Sequence, residues 1–246
     1  LSGRGLGITG GTLDKLEAYA GYNCNLSQQK IAEQLQRLGC VITGTTDDIA
    51  PADRRLYALR DVTGTVPAIA LITSSIMSKK LAASLDALVL DVKFGSAAFM
   101  GDLEQARQLA RSLCATGQRM GVTTRAILSD MNQPLGRMVG NACEANEAVD
   151  LLAGGERAQA APGDLRELTL ALAAELLVAI ERFPNTILAN IALSKLLDSG
   201  QALARFESMV AAQGGQFKES LPLSPAHTAT ALKAGWLQRM DGEAIG

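Results

Sequence analysis

A strand, a helix and a second strand in the middle of the chain constrain its fold most. Ala87-Leu-Val-Leu-Asp-Val92 is almost wholly apolar, which is typical of a strand buried on both faces. Asp102 with Gln105 resembles a capping box, and we expect its helix to run to about Thr116. Residues 121–128 then return as a strand. This alternation predicts an α/β fold, with a mostly parallel sheet flanked by helices.

Further elements are expected before this unit. Ser27 can cap a helix that ends at Gly39, and residues 40–43 then suggest a short strand. Val66-Pro67 is typical of a helix start, because proline is favoured in the first turn. We expect the helix that begins there to reach Lys80 or beyond.

Helical patterns dominate the second half of the chain. The predicted helices are residues 141–152, 164–182, 186–197 and 201–212. Residues 153–163 are rich in glycine, alanine and proline, and we expect a surface connection there. The pattern after Gln213 is too weak to assign an element.

Composition excludes several function classes. The 246 residues are 48% hydrophobic and 20% charged, with a net charge of -2, as in an ordinary soluble globular protein. We expect no nucleic-acid partner, because that balance is not built to neutralise phosphates. The apolar run 169–180 is much shorter than the ~20 residues of a membrane span, so we expect none.

The cysteines bear on the redox compartment. Cys24, Cys40, Cys114 and Cys143 are widely spaced, without a Cys-x-x-Cys pair, and we expect thiols rather than disulfides. No signal peptide precedes the first motif, so the expected location is the cytoplasm.

The opening of the chain is a candidate anion site. Five glycines lie between Gly3 and Gly11, with hydroxyl groups close by at Ser2 and Thr12. Glycines allow consecutive backbone amides to turn towards an anion, and hydroxyl groups add neutral donors. By composition alone, a glycine-rich turn that merely joins two elements explains the same pattern.

The segment Ser2-Gly-Arg-Gly-Leu-x-x-Thr-Gly-Gly-Thr-x-Asp-x-Leu-Glu17 resembles the phosphate-site signature of thymidine and pyrimidine nucleoside phosphorylases. The resemblance covers residues 1 to about 215. Further blocks agree in order and spacing: Pro51-Ala-Asp, Tyr57-Ala-Leu-Arg-Asp-Val-Thr63, Leu71-Ile-Thr-Ser-Ser-Ile-Met-Ser-Lys-Lys80, Asp91-Val-Lys-Phe-Gly-Ser96, Asp130-Met-Asn-Gln-Pro-Leu-Gly136 and Gly140-Asn-Ala.

The resemblance implies roles for individual residues. Ser2 and Thr12 match positions that bind phosphate, while Arg60, Ser75 and Lys79 match those that hold the pyrimidine base and carry catalysis. Three apolar positions match the lining of the base pocket, although each would also pass as core: Leu6, Ile72 and Phe99. Ile8 stands where many members carry histidine.

The types and spacing of the base-binding residues also suit the chemistry of the implied reaction. Ser75 and Lys79 are four residues apart, so on a helix both project from one face. Cations there would stabilise the negative charge that builds on the base as the glycosidic bond breaks. Composition alone would read Arg60, Ser75 and Lys79 as a solvated basic helix end with an incidental serine.

The implied reaction is reversible phosphorolysis of thymidine, deoxyuridine or uridine to the free base and α-D-(2-deoxy)ribose 1-phosphate. Inorganic phosphate is the co-substrate, no organic cofactor is needed, and the family is typically homodimeric. Some members hold a monovalent cation at positions matching Leu135, Met138 and Glu147, although Glu147 also reads as a solvated helix residue. Asp91 and Lys93 end a buried strand, either as ligand groups or as a structural ion pair.

The resemblance also implies a domain division. Residues 1–51 and 83–215 match the α/β phosphate-binding domain, and 52–82 a segment of the small all-helical domain. Residues 216–246 form a weakly patterned tail leading to a C-terminal domain. In the family, further helices and a second phosphate loop precede the matched region, so we expect a truncated chain.

Three alternatives stay open at this point. Nucleoside monophosphate phosphorylases and anthranilate-type phosphoribosyltransferases are enzymatic rivals. The latter should carry an acidic pair for magnesium diphosphate, which the sequence lacks. The third alternative is a truncated remnant without catalytic activity.

Overall fold

The computed structural model describes residues 1–5, 10–45, 49–53, 56, 63, 65 and 68–245. The helices and strands named below, in chain order, are α1 (Thr12–Leu16), α2 (Gln28–Leu38), α3 (Ile69–Leu81), β1 (Ala87–Phe94), α4 (Leu103–Arg119), β2 (Thr123–Asp130), α5 (Asn141–Leu152), α6 (Gly155–Ala160), α7 (Gly163–Ala179), α8 (Thr186–Asp198), α9 (Gln201–Ala212) and α10 (Gly242–Ile245).

The two strands form the sheet that the sequence predicts. β1 and β2 pair in parallel, from Ala87 opposite Thr123 to Phe94 opposite Asp130, and α4 makes the crossover between them. Asp102 begins α4 by accepting a hydrogen bond from the Gln105 amide at 2.9 Å, as the capping pattern predicts. Helix α7 packs against both strands. The α/β class is therefore confirmed.

Local signals also placed most of the other helices. The Ser27 Oγ accepts a hydrogen bond from the Lys30 amide at 3.4 Å, and Gly39 ends α2 in the left-handed conformation, with φ +74°. Helices α5 and α9 have the predicted bounds, and α7 and α8 differ from theirs by a few residues. Val66 and Pro67 lie outside the described residues, and the helix after them begins at Ile69.

Two predictions were wrong. Residues 40–43 are not a strand, because their carbonyls are bonded by side chains and by a single backbone amide, that of Ser2, and not by a strand ladder. The Ile42 carbonyl accepts hydrogen bonds from Tyr22 Oη at 2.8 Å and Gln213 Nε2 at 2.9 Å. The expected surface connection over 153–163 contains helix α6, whose Ala158 is 1% exposed. Packing against α5 and α8 outweighs a composition that is typical of a loop.

Two apolar clusters hold the elements in place. The first gathers α1, α5 and α9 around Tyr19 and Val210, both fully buried. The second packs α3 and α4 against β1 around Met77 and Leu113, each 1% exposed. Burying one such side chain contributes about 1.5–3 kcal/mol. The first cluster supports the glycine-rich segment, and the second supports α3.

Among the residues that the structure describes, every helix is too short or too polar to span a lipid bilayer. All four cysteines are free thiols.

Candidate active site

Helix α3 presents Ser75 and Lys79 together, as their spacing predicts. The Lys79 Nζ donates a hydrogen bond to the Ser75 Oγ at 3.0 Å. Ser75 is only 6% exposed, so its hydroxyl is largely withdrawn from water. The helix is anchored through buried Met77 and through Thr73, whose Oγ1 donates to the Ser112 Oγ at 2.9 Å. A rigid element therefore carries the two predicted base-binding groups.

Asp53 is a member of this group that the sequence reasoning missed. Its Oδ2 accepts a hydrogen bond from the Lys79 Nζ at 2.7 Å. The Asp53 side chain is 12% exposed and that of Lys79 is 29% exposed. The separation of 26 residues carries no helical or strand periodicity that could relate them. The available signal was that Asp53 belongs to one of the blocks that carry the resemblance.

The glycine-rich segment folds back on itself beside α1. A Cβ added to Gly11 would lie 2.4 Å from the Arg4 carbonyl carbon, so only glycine permits this approach. Asp14 Oδ2 holds the turn, accepting hydrogen bonds from the amides of Gly5 at 2.7 Å and Gly11 at 2.8 Å. These two amides are the main cause that lowers the pKa of Asp14, and the Arg4 guanidinium at 3.0 Å adds to it.

The two predicted phosphate residues lie at either end of this segment. The Ser2 amide donates to the Thr43 carbonyl at 2.8 Å, and Ser2 is half-buried. Thr12 is the first residue of α1 and is exposed. Their phosphate-binding role stays a prediction.

Lys80 joins the two halves of the candidate site. Its Nζ donates a hydrogen bond to the Leu1 carbonyl at 2.7 Å. Burial lowers the pKa of Lys80, and the charge of neighbouring Lys79 lowers it further. Because Lys80 follows Lys79 and Leu1 precedes Ser2, this contact brings the end of α3 to the start of the glycine-rich segment.

The other residues predicted to bind the base or line its pocket differ in whether the structure describes them and in how exposed they are. Arg60 and Leu6 lie outside the described residues. Ile72 is half-buried and packs against the second apolar cluster. Phe99 is 61% exposed, so it is not part of the core. The pocket-lining role of each stays a prediction.

Asp91 and Lys93 form an ion pair, which is one of the two hypotheses that the sequence left open for them. The Lys93 Nζ lies 2.7 Å from the Asp91 Oδ2, and Ser129 on β2 donates a hydrogen bond to the other Asp91 oxygen. The pair lies on β1, and the hydrogen bond from Ser129 links Asp91 to β2 near the carboxyl ends of the strands.

Glu147 is 8% exposed, so the hypothesis that it is a solvated helix residue is wrong. Its Oε1 accepts a hydrogen bond from the Arg137 amide at 3.0 Å, and a Cβ on Gly136 would lie 2.3 Å from its Oε2. The loop that contains Leu135 and Met138 is therefore packed against a buried carboxylate. Both of those side chains are partly exposed, at 36% and 42%. A cation there stays a prediction.

Comparison with known proteins assigns the chain to a family. Residues 1–203 match the glycosyl transferase family, a/b domain. The chain belongs to this family. The match includes α3, the glycine-rich segment and both strands, so the candidate site lies within the glycosyl transferase domain.

Relatives of this glycosyl transferase chain agree with the resemblance. A thymidine phosphorylase of Mycobacterium tuberculosis is 50% identical over 249 residues, covering 100% of this chain and 55% of the relative. A thymidine phosphorylase of Burkholderia cenocepacia is 46% identical over 254 residues, covering 100% and 57%. A pyrimidine-nucleoside phosphorylase of Staphylococcus aureus is 47% identical over 215 residues, covering 87% and 48%.

The predicted resemblance to thymidine and pyrimidine nucleoside phosphorylases is therefore confirmed. The chain spans about half the length of these relatives.

Proposed function

We propose that this chain contributes the base-binding groups and part of the phosphate site of a pyrimidine nucleoside phosphorylase. The reaction is the reversible phosphorolysis of thymidine, deoxyuridine or uridine, with inorganic phosphate as co-substrate. One observation carries the proposal: the hydrogen-bonded Ser75 and Lys79 lie beside the Lys80 contact that ties α3 to the glycine-rich segment. The names of the relatives support the same reaction.

The chemistry requires charge stabilisation rather than a covalent enzyme intermediate. A phosphate oxygen forms a bond to the anomeric carbon, and the bond from that carbon to the base nitrogen breaks. The bonding electron pair leaves with the base, whose ring becomes negatively charged before it takes up a proton. Lys79, with Arg60 as the resemblance implies, stabilises this charge more in the transition state than in the ground state.

Ser75 and Lys79 suit a pyrimidine because its carbonyl oxygens accept hydrogen bonds. Both residues can donate, and the partial burial of Lys79 strengthens its interaction with a charged ring. Ser2 and Thr12, at either end of the glycine-rich segment, supply hydroxyl donors to phosphate. Positioning of the two reactants accounts for the remainder of the rate enhancement.

We also propose that the loop around Glu147 binds a monovalent cation, with carbonyls of Leu135 and Met138 as further ligands. The support is a buried carboxylate packed against that loop, with one oxygen bonded to a backbone amide. Its role would be structural, holding the loop near the start of α5.

A homodimer in the cytoplasm is the setting we propose for the full-length protein. The support is the resemblance to the family and, for the compartment, four free thiols.

The direct test is incubation of the full-length gene product with thymidine or uridine, with and without phosphate. We expect release of free base only when phosphate is present, together with formation of the pentose 1-phosphate. Base release that is independent of phosphate, or none at all, would overturn the proposed function. Substituting a nucleoside 5′-monophosphate as substrate distinguishes the related phosphorylases, since we expect a much lower rate with it.

A further inference from the structure

The described contacts of the Lys79 ammonium group include one from its own helix and one from a distant part of the chain. Asp53 Oδ2 lies 2.7 Å from the Lys79 Nζ, and Ser75 Oγ lies 3.0 Å from it. Asp53 belongs to a helical stretch at residues 51–53, whereas Ser75 and Lys79 belong to α3. We propose that Asp53 is a positioning residue that orients the Lys79 ammonium towards the pyrimidine base; this rests on the proposed function.

Lysine needs such a restraint more than most side chains do. Its four-carbon stem has many rotamers, so an unrestrained ammonium samples a wide region. Ser75 alone cannot set the position of Lys79 relative to the rest of the molecule, because both residues belong to the same helix. A contact from outside α3 is required, and Asp53 supplies one.

The burial of the pair separates it from ordinary surface ion pairs. The Asp53 side chain is 12% exposed and the Lys79 side chain is 29% exposed. In contrast, Asp150 and Arg157 are paired at the same 2.7 Å distance but are 51% and 42% exposed. Exposed pairs are weak restraints since solvent and salt compete with them, whereas a shielded carboxylate holds its partner firmly.

Positioning of this kind affects the chemical step. A displacement of about 1 Å in a catalytic group can reduce the rate about 100-fold. The proposed phosphate residues are Ser2 and Thr12, neither of which contacts Asp53 in the described hydrogen bonds. Loss of Asp53 should therefore affect turnover of the nucleoside and leave the KM for phosphate nearly unchanged.

The test compares four forms of the full-length protein: wild type, Asp53→Asn, Asp53→Glu and the control Asp150→Asn. Asparagine keeps the shape of the side chain but removes its charge, and glutamate keeps the charge on a longer stem. We expect Asp53→Asn to lower kcat/KM for the nucleoside about 10- to 100-fold, mainly through kcat. Asp53→Glu should recover part of that loss, and Asp150→Asn should match wild type.

A double-substitution cycle separates positioning from a general structural effect. In a Lys79→Met background, Asp53→Asn should have almost no further effect on kcat/KM, because Asp53 acts only through the lost ammonium. Additive losses would overturn the proposal. Equal activity of Asp53→Asn and wild type would overturn it too.

Crystal structures of wild type and Asp53→Asn provide a readout that does not depend on turnover. We expect the Lys79 Nζ to leave its place beside the Ser75 Oγ in the variant. An unmoved Nζ contradicts the proposal even if the wild-type enzyme is active. Absence of phosphate-dependent base release from wild type overturns the proposed function instead, and a displaced Nζ would still support the restraint by Asp53.

Discussion

The Lys80 Nζ donates a hydrogen bond to the carbonyl oxygen of Leu1, a residue 79 positions earlier in the chain. This contact connects the helix that carries Ser75 and Lys79 to the segment that begins at Ser2. In the proposed reaction, the base and the phosphate must meet at one carbon atom. A contact between the two segments is therefore a direct means of setting their separation.

Lys80 should make the stability of the protein depend on alkaline pH. Its pKa in the folded state is lowered from the ordinary 10.5, so the unfolded state binds more protons between the folded value and 10.5. The free energy of unfolding of wild type should consequently rise, relative to Lys80→Met, as pH increases through that window. Urea unfolding at a series of pH values above 7 measures the difference.

Lys30→Met is the matched control for Lys80, because Lys30 is an exposed lysine on α2. It should follow the wild-type pH dependence. Lys80→Met should also raise the KM for phosphate severalfold, since Ser2 is no longer tied to α3. If the free energy of unfolding changed with pH in the same way in wild type and in Lys80→Met, burial would not lower the pKa of Lys80.

Ser75 and Ser74 form a matched pair on α3 for testing the base site. Ser75 is 6% exposed and bonded to Lys79, whereas Ser74 is exposed. We expect Ser75→Ala to lower kcat/KM for the nucleoside about tenfold or more, because a hydrogen bond to a charged group is lost. Ser74→Ala should leave kcat/KM for the nucleoside nearly unchanged, although it has the same effect on helix propensity. Steady-state kinetics with thymidine and uridine decide between these outcomes.

Gly11 and Gly3 test the close approach within the glycine-rich segment. A Cβ on Gly11 would lie 2.4 Å from the Arg4 carbonyl carbon, while one on Gly3 would meet nothing within 4 Å. Gly11→Ala should lower the free energy of unfolding by about 1–3 kcal/mol through overpacking. It should also raise the KM for phosphate. Gly3→Ala should unfold like wild type, and a Gly11→Ala variant of unchanged stability would refute the close approach.

Tyr19 and Tyr22 differ in whether their hydroxyl groups are bonded. Tyr19 is 0% exposed, and its hydroxyl has no partner among the described residues, whereas the Tyr22 hydroxyl donates to the Ile42 carbonyl at 2.8 Å. Tyr22→Phe should cost about 1 kcal/mol, but Tyr19→Phe should cost nothing or stabilise the protein. Chemical denaturation compares the two. A larger loss in Tyr19→Phe than in Tyr22→Phe would contradict this assignment.

The sequence by itself determined the parts of this protein that depend on local patterns. The continuous apolar run at β1, the cap at Asp102 and the glycine at position 39 each predict an element or a boundary, because periodicity and capping are properties of neighbouring residues. The spacing of Ser75 and Lys79 likewise places them on one helix face. Local sequence gave the wrong element where packing decided the outcome, as at α6 and at residues 40–43.

Only the tertiary structure decided which distant residues meet. Asp53 beside Lys79, Lys80 against Leu1, and the burial of Glu147 under the loop at Gly136 follow from how helices and loops pack. No local pattern encodes these contacts, since each depends on the positions of elements far apart in the chain. The sequence thus placed Ser75 and Lys79 on one helix face, and packing determined that a distant group, Asp53, holds Lys79 there.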